Sequence, residues 1–196
     1  MIHKLREHPY EVFYNISFVN LNIIDRIQDL WSQYVMWERA LLMAQAFNNP
    51  NLEEIQNRLY RIPLDFYDNL RVFYGDRIAQ QMLNYLQARV ILERKLINAM
   101  ITGNQEIVDI YTQKLYQNAD ELSDYLGQFP YWDSAQWKTL LYTDIGMLFD
   151  EIRAVLLGDY EREIEIFERE LLNATAIGRY MAAGILETLI APQPAG

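Results

Sequence analysis

Tyr34, Arg89 and Asp144 stand at a constant interval of 55 residues. A guanidinium flanked by carboxylates can hold a small polar ligand, or it can close on those carboxylates as an internal salt bridge. Glu38 and Glu93 follow Tyr34 and Arg89 by four residues, one helical turn on and beside the seam. Glu151 follows Asp144 by seven, two turns on and within it. A charged group is almost never buried without a partner. Arg89 with Asp144 is therefore the expected pair, with Tyr34 as third member. Three readings stay open: a satisfied polar network, a seam that opens to solvent, or a site for a small polar ligand formed by Tyr34, Arg89, Asp144, Glu38 and Glu93.

Other chemistries find no support. Helical bundles bind paired metals through inward glutamates plus Glu-x-x-His pairs. The two histidines here are His3 and His8, both near the N-terminus, and no Glu-x-x-His occurs. With no cysteine there is no disulfide, thiolate metal site, iron–sulfur cluster or thiol nucleophile. None of the 8 glycines falls in a phosphate-cradling pattern. The serines are Ser17, Ser32, Ser123 and Ser134, and no histidine accompanies any of them. No catalytic residue, metal ligand set or cofactor is expected. In the run from Asp159 to Glu170, the residues Tyr160, Ile164, Phe167 and Leu171 share one face. The acids are expected mostly on the opposite, solvated face. The tryptophans Trp31, Trp37, Trp132 and Trp137 read as core rather than as a ligand pocket.

The polar triplet sits inside a wider repeat. Leu30, Tyr85 and Leu140 share the same interval, as do Val35, Val90 and Ile145, and Ala44, Ala99 and Ala154. Each segment stops at an equivalent point: Asn48-Asn49, Gly103-Asn104 and Gly158-Asp159. Self-similarity at fixed period implies stacked copies of one supersecondary unit. The apolar spacing predicts helices over about 22–47, 77–102 and 133–157, each followed by a second helix beginning near Asn51, Gln105 and Asp159. Pro63 is expected to break or kink the second helix. Gly75-Asp76 should end it, with a C′ glycine followed by an N-cap aspartate. The expected fold is all-α: an up-and-down six-helix bundle of three hairpins whose first helices run parallel. It occupies residues 21–190, after an N-terminal arm (1–20) and before a short tail (191–196).

A chain of 196 residues that is 51% hydrophobic can bury a substantial core. Its net charge of −10 lies in residues 101–196, which carry 6 basic and 16 acidic residues, against 11 and 11 before them. That balance disfavours nucleic acid and anionic membrane as partners. It suits a protein partner of opposite charge or a small polar ligand, with a homodimer as a further alternative. No secretory signal or membrane span is read in the sequence, so a cytoplasmic protein is expected. The expected role is a non-catalytic scaffold or interaction protein. A small polar-ligand binder, or a degenerate relative of a metal-site enzyme, is the alternative.

Several segments resemble a poorly characterised family of bacterial all-helical proteins. They are Trp31-x-x-Tyr34-Val35-Met36-Trp37-Glu38-Arg39, Arg58-Leu59 running into Pro63-x-Asp65-Phe66, Phe73-Tyr74-Gly75-Asp76, Asn118-Ala119-Asp120-Glu121 and Gly158-Asp159-Tyr160. The resemblance covers roughly residues 28–190. Members of that family often carry an automatic label of acetylglutamate kinase, which an all-helical chain without a phosphate-cradling loop does not support. The resemblance implies the fold. It also implies that histidines stand in relatives where this chain has Tyr34, Arg89 and Asp144, so any metal or proton site those histidines form is not carried over.

Overall fold

The computed structural model describes residues 18–190, and His3, His8 and most of the N-terminal arm lie outside them. Five helices follow one another: α1 (Phe18–Ala46), α2 (Leu52–Ile101), α3 (Gln105–Leu126), α4 (Ser134–Leu157) and α5 (Tyr160–Ile190). No strand occurs among the described residues. None of these helices is long and apolar enough to cross a membrane.

Local chemistry sets the boundaries. Asn104 and Asp133 cap α3 and α4 by accepting from the amides of Ile107 and Gln136. Gly158 closes α4 in the left-handed conformation, φ 72 and ψ 17. Glu53 and Glu54 sit in the first turn of α2, where the helix dipole favours them.

A break at Pro63 is the expectation for α2 that needs correction. Helix continues through Pro63, which is buried. At Gly75, by contrast, helical geometry does stop, as expected. That residue, at φ 76 and ψ 170, is the one non-helical point in the 50-residue element. This region of backbone space is essentially restricted to glycine. Asp76 accepts from the Tyr67 hydroxyl at 3.0 Å instead of capping a new helix. A straight helix of this length would run about 75 Å, far beyond a domain of this size. Gly75 divides it into two arms with different neighbours. The first arm lies antiparallel to α1, with Arg26 bonded to Asn69 and Gln33 to Arg58. The second lies antiparallel to α3, through Tyr85 with Asn118 and Ile78 with Tyr125.

The remaining pairs close the bundle. α3 and α4 run antiparallel through Asp124–Ser134 and Asp120–Tyr142. α4 and α5 do so through Trp137–Tyr180 and Leu140–Asn173. α1 and α5 do so through Gln28–Thr175 and Arg39–Glu163. The core runs the length of the bundle, from Ile27, Trp31 and Phe66 through Leu86, Leu96 and Leu141 to Ile177 and Ile185. Trp31, Trp132 and Trp137 are buried, and Trp37 is half-buried beneath the Arg58 guanidinium. At mid-height α1, α2, α4 and α5 all turn a charged or polar residue inward.

Candidate functional site

Arg89 is fully buried on the second arm of α2. Its Nη2 donates across to Asp144 Oδ2 on α4 at 2.6 Å, and its Nε donates to Glu93 Oε1, one turn along its own helix, at 2.6 Å. The Tyr34 hydroxyl on α1 donates to the other Glu93 oxygen. Asn173 Nδ2 reaches Asp144 Oδ1 from α5 at 3.5 Å. Glu38, one turn beyond Tyr34, is buried beside them, and its Oε1 accepts no hydrogen bond. Arg89 Nη1 donates to no protein acceptor.

The environment shifts all of these groups. Burial raises Glu38 well above the ordinary carboxyl range, reinforced by the Glu93 and Asp144 carboxylates. Burial pushes Glu93 up to about 7, although Arg89 and the Tyr34 hydrogen bond pull the other way. Asp144 is raised by burial against the pull of Arg89. Burial and the Glu93 charge raise the Tyr34 phenol. For Arg89 burial opposes the charge, but Glu93 and Asp144 outweigh it and hold the guanidinium above its usual value.

A second polar group adjoins the layer. Arg39 on α1, partly exposed, grips Glu163 on α5 with two hydrogen bonds, Nε to Oε1 at 2.5 Å and Nη2 to Oε2 at 3.1 Å. Its guanidinium also lies 4.4 Å over the Phe167 ring. Glu151 Oε1 approaches Arg39 Nε at 3.5 Å. Burial, together with the Glu163 charge, pushes Glu151 up to about 8. Burial and the charges of Glu151 and Asp144 push Glu170 up to about 9. Six buried carboxyls (Glu38, Glu93, Asp144, Glu151, Glu163 and Glu170) thus share one buried guanidinium and one half-buried guanidinium.

All five residues picked out in the sequence meet. Arg89 and Asp144 form the anticipated pair. Tyr34 bonds to neither of them; its partner is Glu93, which lies inside the layer and not beside it, because position i+4 on the helix brings it back over Arg89. Glu163 and Glu170 run against the sequence reading, which put the acids of this run mostly in solvent. Here Tyr160 and Ile164 are exposed instead, at 50% and 51%. The buried stripe of α5 runs Glu163, Ile166, Glu170, Ala174, Ile177 and Met181. Traced backward from its apolar C-terminal half at three–four spacing, that stripe leads to both glutamates.

The layer is closed. Tyr34 is 1% exposed and Arg89 0%. A surface cleft of about 600 Å³ opens away from the layer, between α3 and α4, lined by residues including Thr112, Tyr116, Gly146 and Asp150. Among the described residues no three His, Cys, Asp or Glu side chains converge in an arrangement that could hold a metal ion. Comparison with protein-family models, with curated proteins and with solved structures finds no match.

Proposed function

We propose that this protein is a non-catalytic helical scaffold that works through its surface, with the polar layer as an internal fastener. The observation that carries this reading is the closure of the layer. A ligand-binding guanidinium needs a path to solvent, and Arg89 has no exposed surface. Outside, by contrast, an apolar corner stands open where α1 ends and α4 turns into α5. Phe47 and Tyr160 lie there with tilted rings, centroids 6.1 Å apart, both half-exposed, and Leu157, at the end of α4, is 82% exposed. Glu161 and Glu165 follow on the exposed side of α5. An apolar corner rimmed by acids fits a basic, amphipathic protein segment.

The architecture proposed with this role is three hairpins of one 55-residue period. It is supported by the antiparallel pairing on each side of Gly75 and by the meeting of Tyr34, Arg89 and Asp144, equivalent within the period, in one layer.

The test is titration of the full chain with a helical Lys/Leu peptide, with the same helix carrying Glu for Lys as control. The basic peptide should bind saturably, and more weakly as salt rises. Leu157→Glu with Tyr160→Glu should abolish binding while leaving the helical circular dichroism unchanged. Equal binding of both peptides, or no effect of the double substitution, refutes the reading. Sedimentation of the chain alone shows whether a second copy occupies the corner instead.

A further inference from the structure

The buried layer carries more acid than its cation balances. Glu38, Glu93 and Asp144 surround one guanidinium, that of Arg89, and Arg89 directs its 2.6 Å hydrogen bonds at Glu93 and Asp144. The Tyr34 hydroxyl is also committed to Glu93. Glu38 is left 5% exposed with no hydrogen bond to its Oε1. The charged groups facing it are Arg89 and Glu93 from α2, Asp144 from α4 and Glu170 from α5. Three of those four are carboxyls. With Glu93 and Asp144 ionised, the layer already stands at −1, and an ionised Glu38 would make it −2. Uncompensated charge in an interior is among the costliest arrangements a protein can adopt. A neutral carboxylic acid avoids that cost.

We propose that Glu38 is a proton-binding site: it stays a neutral acid in the folded protein at pH 7, and its proton is the ligand that closes the layer between α1, α2, α4 and α5. The balance is simple. Folding at pH 7 takes up one proton from water at Glu38, and unfolding returns it as the carboxylate forms. Raising the pH removes the proton in place, and four helices then share an unbalanced negative layer. This layer does not depend on the surface role proposed above.

Proton release on unfolding tests it. The full chain is unfolded at pH 7 in weak buffer with an indicator dye, alongside Glu38→Gln and Glu38→Met. Other raised carboxyls also release protons, so the difference decides. Each variant should release one proton fewer than the parent and should fold at least as well at pH 8. The infrared carbonyl band of protonated carboxyl should be weaker in both. Equal proton release in parent and variants overturns the proposal. So does failure of both variants to fold at pH 7, since that shows a need for the charge. A rise in melting temperature with millimolar Mg²⁺, Ca²⁺ or Mn²⁺ that disappears in Glu38→Gln would make the occupant a cation and overturn it as well.

Discussion

Replacing Arg89 with methionine removes the one buried cation among the described residues and leaves Glu93 and Asp144 without a counter-charge. Removing one partner of a buried pair costs about 3–5 kcal/mol. Asp144→Leu is not equivalent. It leaves Arg89 bonded to Glu93 at 2.6 Å and strands only the Nη2 donor, at about 1–3 kcal/mol. Arg89→Met should therefore be the more damaging by about 2 kcal/mol, taking that difference from the two ranges. The double substitution should recover part of the loss and no more, because Glu93 stays buried with Tyr34 as its hydrogen-bond donor. The loss in Arg89→Met should also depend on pH. Without the guanidinium, Glu93 and Asp144 rise further, so the folded variant holds protons between pH 5 and pH 8 that its unfolded chain gives up, and the loss grows with pH. One proton held across three pH units is worth up to about 4 kcal/mol. Urea melts of the parent and three variants at pH 5 and pH 8 measure this through the midpoint at constant slope. Equal losses in the two single variants, or an Arg89→Met loss that does not change with pH, would sink the charge accounting.

Other outcomes follow from the same structure. Glu93, Glu151 and Glu170 are raised to about 7, 8 and 9, so the folded state holds protons that the unfolded chain gives up above about pH 4.5. Their stabilising contribution is full below that pH and is lost as pH rises through 7 to 9; the melting temperature should fall between pH 5 and 9, and a flat profile would contradict it. At Gly178 an added Cβ would lie 2.6 Å from Gln28 Cα, so Gly178→Ala must push α5 off α1, at about 1–3 kcal/mol in thermal melts. Gly184→Ala should be comparably harmful, because its Cβ would meet Trp132 Nε1 at 2.0 Å. Gly146→Ala is the counter-example: nothing lies within 4 Å of its Cβ and it sits inside α4, so it should stabilise by about 0.5–1 kcal/mol.

Helical class and most element boundaries were legible in the sequence because they arise from short-range physics. Asn104 and Asp133 cap α3 and α4 through amides three residues on, and Gly158 takes the left-handed turn that L residues avoid. The pairing of Arg89 with Asp144 was also legible, since a regular period brings equivalent residues to one height and an arginine in the core requires a carboxylate. Gly75 was legible as a break for the same short-range reason, since its φ of 76 and ψ of 170 lie where glycine alone sits readily.

What the tertiary structure alone decided was the rotation of each helix about its axis and the charge balance that results. Tyr34 and Asp144 share a layer, but whether the phenol meets the aspartate or Glu93 depends on side-chain reach at close quarters. Glu163 and Glu170 read as solvated acids because the pattern Tyr160, Ile164, Phe167, Leu171 offers a plausible apolar face. The buried face is set instead by Ala174, Ile177 and Met181, which enter the common core, and by Arg39 opposite Glu163. A helix settles its buried face over its whole length, so a short window can point to the wrong one. Each carboxyl turned inward in this way raises the cost of ionising the next, and that coupling between α1, α2, α4 and α5 exists only once the helices have packed.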